Sequence, residues 1–191
     1  MKPARPPSTP NDSPMTLIIC SLSALRGVIA ARRPSHVITM LTPTQMIDPV
    51  EGVDPANHLR LGVDDIAAPM AGLVLPDEAA VARLLTFARG WDGEAPMIVH
   101  CLAGVSRSTA GALAVACDRN PHVPERQIAE AMRRAAPHAF PNRRIVALTD
   151  HLLDRRGRLI EAVEAIGRDD LGARPAPFDL PSRYPATAAP K

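Results

Sequence analysis

The nonapeptide His100-Cys101-Leu102-Ala103-Gly104-Val105-Ser106-Arg107-Ser108 sets a cysteine and an arginine around five small or apolar uncharged residues. Met97-Ile98-Val99 before it is apolar and short enough for a buried strand. After it, Ala110, Leu113, Ala114 and Cys117 recur at helical spacing. Together these predict strand, tight loop and helix, with the loop at the positive end of the helix. Unpaired backbone N–H groups converge at such an end, and the macrodipole favours an anion there. Gly104 lets the backbone curl so that successive N–H groups form a concave nest. Arg107 adds a planar fork matched to two oxygens of one phosphate. A cysteine at the mouth of this nest is expected to ionise as a nucleophilic thiolate facing a phosphate-shaped hole.

These residues resemble the His-Cys-x5-Arg-Ser/Thr signature of the cysteine-dependent protein tyrosine phosphatases. The Ala-Gly-x-Ser-Arg-Ser interior is more similar to the dual-specificity branch and its bacterial relatives than to the receptor-type branch. The resemblance implies an α/β phosphotyrosine-phosphatase-like fold, a metal-independent phosphomonoester hydrolase and a cysteinyl-phosphate intermediate. It implies that Cys101 is the nucleophile and that Arg107, with the amides of Leu102, Ala103, Gly104, Val105 and Ser106, binds the phosphate. By the same resemblance Ser108 supports the departing thiolate, and His100 orients the loop and favours the thiolate. An aspartate on a loop after a strand upstream of the cysteine would protonate the leaving oxygen. Asp65 is favoured for this role over Asp64, because strand alternation carried past Val63 turns Asp65 toward the pocket. Asp77 is third, since Pro76-Asp77 also reads as a helix start.

Composition narrows the field. At 191 residues, 46% of them hydrophobic, the chain fits one soluble domain with tails. A net charge of +2 creates no strong field toward nucleic acid or an anionic membrane, and neither is expected as a partner. Of 22 basic residues only Lys2 and Lys191 are lysines, a bias that suits phosphate without requiring it. Cys20, Cys101 and Cys117 form no disulfide framework, and a reactive thiolate requires a reducing compartment, so cytoplasm is expected. Cys20 and Cys117 read as core residues, with a redox partner for Cys101 as the minor alternative. No His/Cys/Asp spacing completes a zinc set around His100, and neither metal nor cofactor is expected.

Working outward, residues 1–14, with five of the 21 prolines, read as a disordered arm, 15–170 as the catalytic domain, and 171–191 as a disordered proline-rich tail. Strands are predicted at Thr16–Cys20, Val37–Leu41, Leu59–Val63 and Met97–Val99. Helices are predicted after Ser23, taken as a cap, after Pro76, through Thr109–Cys117, and after Pro124, Pro141 and Gly157. Inward positions include Leu25 and Val28, Val81, Leu84 and Leu85, then Ile128, Ala131, Met132 and Ala135. The arginine pairs 133–134, 143–144 and 155–156 read as solvated helix faces. Asn142 reads either as a brace for the active loop or as a helix cap. Strands alternating with helices, then helices alone, argue for a central sheet of about four to five mostly parallel strands with a helical C-terminal half. Ligands of such sheets bind beyond the strands' carboxyl ends, where the Cys101 loop falls.

The expected partner is a phosphorylated protein or peptide. The same chemistry also admits an inositide, nucleotide or RNA 5′-phosphate, although Leu102, Ala103 and Val105 bring no cation for a polyanion. A phosphate-reading pseudophosphatase is disfavoured by the intact Cys101, Arg107 and candidate acid. Rhodanese-type sulfur transfer is disfavoured by the arginine-serine pair that closes the loop.

Overall fold

The computed structural model describes residues 15–167 and 175–185. β1 (Thr16–Ser21), β2 (His36–Leu41), β3 (His58–Gly62) and β4 (Met97–Cys101) run parallel, and β5 (Phe178–Pro181) pairs antiparallel with β1. The sheet order is β3-β2-β4-β1-β5. α1 (Leu22–Arg32) connects β1 to β2, and α2 (Glu78–Arg89) connects β3 to β4. α3 (Arg107–Arg119), α4 (Glu125–Ala135), α5 (Arg143–Leu152) and α6 (Arg158–Ile166) make the helical C-terminal half. The fold is therefore the α/β class expected, with β4 in the middle of the sheet and Cys101 at its carboxyl end.

Apolar, largely β-branched runs such as Leu17-Ile18-Ile19 and Ile98-Val99 are buried on both faces, as parallel sheets require. Ile18, Val37 and Ile98 pack with Leu25 and Val28 of α1 on one face. Leu17, Ile38, Met97 and Val99 pack on the other with residues of α2 to α6. Each such aliphatic side chain contributes about 1.5–3 kcal/mol of burial energy. α3 is buried at every position from Arg107 to Cys117, which makes it the spine of that second core. Small residues allow it to lie close to the sheet: a Cβ on Gly111 would stand 2.9 Å from Met40 Sδ and 3.2 Å from Val99 Cγ1.

Four local expectations are corrected. Ser21, not Ser23, caps α1, its hydroxyl accepting the Ala24 amide at 3.3 Å, while Ser23 lies inside the helix. On α4 the buried face is Ile128, Ala129 and Met132, whereas Ala135 is exposed at the helix end. Arg155 is buried rather than solvated, paired with Glu125 at 3.1 Å and donating to the Cys117 and Pro121 carbonyls. The stretch read as a disordered 171–191 tail contains β5, where Phe178 and Leu180 turn into the core despite the flanking prolines. The Ser182 amide then donates to Met15 O, and the Asn120 side chain clasps Ser182 O and the Tyr184 amide. The 1–14 arm and the rest of that tail lie outside the described residues.

Candidate active site

β4 delivers Cys101 to a loop that rises from the sheet and becomes α3 at Arg107. Cys101 is 2% exposed, and its Sγ lies 3.1 Å from Ser108 Oγ and receives the Gly104 amide at 3.3 Å. A hydroxyl and a backbone N–H thus sit against the sulfur, at the positive end of a helix. Gly104 adopts φ +74°, and a Cβ there would meet the Cys20 carbonyl carbon and the Ser21 nitrogen, both at 2.8 Å. Conformation and close approach to β1 both demand glycine at this turn. The amides of Ala103, Val105 and Ser106 donate to no acceptor among the described residues.

The loop is held from behind. Thr109 Oγ1 is bonded to the Val105 and Ser106 carbonyls, at 2.6 and 2.9 Å. The helical half grips the same two carbonyls through the Phe140 and Asn142 amides, at 2.9 and 3.2 Å. Arg107 is buried, with Nη1 donating to Val63 O at 2.8 Å and Nε without a partner. Its guanidinium is therefore anchored to the end of β3 while part of its donor set stays uncommitted.

Asp65 and Asp64 are separated by their surroundings. Asp64 is buried and accepts the Val74 amide at 2.7 Å. That amide and the Thr42 hydroxyl hold its carboxyl below the usual carboxylate range. Asp65 is exposed and lines the cavity over Cys101. Its Oδ1 accepts Ser106 Oγ–H at 2.6 Å and Asn142 Nδ2–H at 2.8 Å, which leaves Oδ2 uncommitted. Asn142 fills both of the roles read for it, because its Oδ1 also caps α5 through the Arg144 and Ile145 amides. Asp77 caps α2 through the Ala80 amide and does not line the cavity.

His100 is fully buried and begins a polar relay across three strands. The Val50 amide donates to His58 Nδ1 at 3.2 Å, so the His58 proton sits on Nε2. That Nε2 is 2.7 Å from Thr39 Oγ1, and Thr39 Oγ1 is 2.6 Å from His100 Nε2. The direction of donation places the His100 proton on Nδ1, near the Cys101 backbone but without a hydrogen bond of ordinary geometry. Burial pushes both imidazoles down to about 4, so both are neutral at pH 7. His58, Thr39, Thr109 and the Ser106–Asp65 contact were not singled out from the sequence, since each partner comes from a distant segment.

The cavity over Cys101 has a volume of about 580 Å3 and is lined by the nonapeptide loop, Asp65 and Ala67, and Phe140 to Arg143. A larger groove of about 690 Å3 lies beside α1 and holds no nucleophile. Cys20 and Cys117 are buried, and burial pushes both thiols up to about 12. Among the described residues no cluster of His, Cys, Asp and Glu suits a metal ion, and no helix is long and apolar enough to cross a membrane.

No family model matches the chain, and no curated protein matches it in sequence. Solved structures do match. PTPMT1 in complex with PI(5)P aligns with a TM-score of 0.55 at 19% identity, over 74% of this chain and 92% of that one. DUSP15 aligns at 0.54 and 16% identity over 82% and 92%, and human DUSP28 at 0.54 and 19% over 75% and 94%. The chain shares the fold of these tyrosine-phosphatase-type and dual-specificity phosphatases.

Proposed function

We propose that the chain is a cysteine-dependent phosphomonoester hydrolase acting on phosphotyrosine, and on phosphoserine and phosphothreonine where they reach the nucleophile, in protein. The observation that carries this reading is Cys101 Sγ, bonded by the Ser108 hydroxyl and the Gly104 amide, in one cavity with Arg107 and Asp65. Free loop amides and the uncommitted part of the Arg107 fork hold three phosphoryl oxygens in the plane of displacement. Sγ attacks phosphorus, the bond to the leaving oxygen breaks, and Asp65 Oδ2 supplies the proton that this oxygen takes. Ser106 and Asn142, both on Oδ1, keep the proton-bearing oxygen turned to the leaving group. Water, giving a proton back to Asp65, then attacks the cysteinyl-phosphate, and the Ser108 hydroxyl donates to the sulfur as it departs. Positioning and preorganised charge supply most of the acceleration.

Protein phosphate is favoured over a polyanionic small molecule by the nest itself. Leu102, Ala103 and Val105 bring no charge to it, and Arg107 and Arg143 are the cations lining the cavity among the described residues. The test is phosphate release from p-nitrophenyl phosphate in EDTA and reductant, with wild type beside Cys101→Ser. Turnover in the wild type that disappears in the variant is the expected result. Turnover that survives the substitution, or that EDTA abolishes, refutes it.

A further inference from the structure

The loop that leaves Asp65 is unusual for a surface segment. Ala67-Ala68-Pro69-Met70-Ala71-Gly72-Leu73-Val74 is exposed at every residue and contains no polar side chain. Surface connections are ordinarily polar, and a contiguous apolar patch of this kind marks a contact. The loop is fixed rather than loose. Its start is held where Asn142 Nδ2 meets Asp65 Oδ1 and Ile66 O, and its end where Val74 and Asp64 exchange hydrogen bonds of 2.8 and 2.7 Å. A turn closes its tip, with the Leu73 amide on Met70 O at 3.2 Å. The large apolar side chains exposed among the described residues are Met70, Leu73 and Val74 on this loop and Leu102 on the nest, 40–60% accessible. Leu102 lines the cavity over Cys101 directly, and the 67–74 loop reaches its rim through Ala67, with Met70, Leu73 and Val74 further along the same loop.

A second wall carries charge instead. Arg143, exposed at the start of α5, lines the same cavity and makes no hydrogen bond or ion pair among the described residues. Its neighbour Arg144 does not line the cavity, and its Nε donates to Pro76 O at 3.2 Å. Resting on the phosphatase reading above, we propose that this mouth selects the flanks of the phosphorylated residue. The 67–74 loop with Leu102 takes an apolar side chain of the substrate polypeptide, and Arg143 takes a carboxylate from its other flank.

Charge decides between a polypeptide and a bilayer as the occupant. From residue 61 to residue 82 there is no lysine or arginine, while Asp64, Asp65, Asp77 and Glu78 are all present. Asp77 and Glu78 are exposed just beyond the loop. An apolar loop that dips into an anionic membrane is flanked by cations, and this one is flanked by acids.

The experiment measures kcat/KM for four phosphotyrosine peptides of equal length. One carries leucine before and glutamate after the phosphotyrosine, one the reverse order, one leucine on both flanks and one glutamate on both. One mixed peptide is expected to exceed both uniform peptides by about tenfold, the scale of discrimination an apolar contact supplies. The paired variant Met70→Ser with Leu73→Ser should abolish the leucine preference, and Arg143→Glu should reverse the glutamate preference, each read as the ratio to p-nitrophenyl phosphate. Four equal peptides, all hydrolysed, would overturn the flank reading and leave the phosphoprotein reading standing. Hydrolysis of p-nitrophenyl phosphate but of no peptide would remove the phosphoprotein reading itself. Faster release from phosphatidic acid in phosphatidylcholine vesicles than from every peptide would give the loop to the bilayer and overturn the proposal.

Discussion

Asp65 takes both of its hydrogen bonds on one oxygen, and that asymmetry fixes the carboxyl while leaving its other oxygen uncommitted. Asp65→Asn should reduce kcat on a phosphotyrosine peptide by about a hundredfold or more, the lower range for loss of a positioned acid. The loss should be smaller on p-nitrophenyl phosphate, whose leaving oxygen needs less help. Equal rates for variant and wild type on the peptide would take the role away from Asp65. The sequence pointed to this residue for a reason the structure does not share. Alternation past Val63 puts Asp65 on the core side, yet β3 ends at Gly62, the chain turns, and Asp64 is the one that becomes buried. The strand, loop and helix around Cys101 were legible because nine consecutive residues hold the loop. The supports of Asp65 were not, because Ser106 and Asn142 stand 41 and 77 residues away and only the folded sheet brings them together.

At the scale of elements, two buried polar assemblies fix how strands and helices meet. The Thr39 hydroxyl joins β2 to both neighbours by bonding His58 on β3 and His100 on β4. Thr39→Val is nearly isosteric but leaves two ring nitrogens unpaired in the core. It should cost about 1–3 kcal/mol in urea unfolding. It should also shift the acid limb of the kcat/KM pH profile, with Thr39→Ser restoring both. An unmoved profile would make the relay purely structural. Glu125 at the start of α4 holds Arg155 and Arg158 at 3.1 and 3.2 Å, and Arg155 also ties down the end of α3. Glu125→Ala strands the buried Arg155 guanidinium and should cost about 3–5 kcal/mol. Breaking the exposed Arg126–Glu130 pair should cost at most about 0.5 kcal/mol. Spacing revealed α4 and the apolar face it buries through Ile128 and Met132. It gave no sign of the Arg155 clasp, because an arginine pair reads as surface until a buried carboxylate is seen beside it. β5 was missed for a related reason. Three residues between Pro177 and Pro181 carry too little pattern to outweigh composition, and their strand forms where β1 offers them an edge.

For the whole molecule, the buried imidazoles set an acid limit. His58 and His100 fall from the ordinary 6.5 to about 4, and burial also lowers His36 and His138. Between these values the unfolded chain binds protons that the folded chain refuses. Stability therefore rises with pH through the window, is fully present above about 6.5 and is lost as pH falls toward 4. Each of the two deepest histidines adds a slope of up to about 1.4 kcal/mol per pH unit. Urea midpoints should drop steadily from pH 7 to pH 4.5, and a flat profile would contradict the neutral relay. Asp64, held low, acts only below its ordinary carboxylate range. The topology was readable from alternating strands and helices, but not the degree to which α3 is enclosed, buried from Arg107 to Cys117. That enclosure has a thermodynamic corollary. The 102–106 loop runs directly into the first turn of the helix on which the second core is built, so any oxyanion that binds the native loop shares its binding free energy with the fold. By mass action the melting temperature then rises with the logarithm of ligand concentration above Kd. Heat resistance becomes a gauge of what the loop accepts, and compounds that undergo no turnover are counted along with any that do.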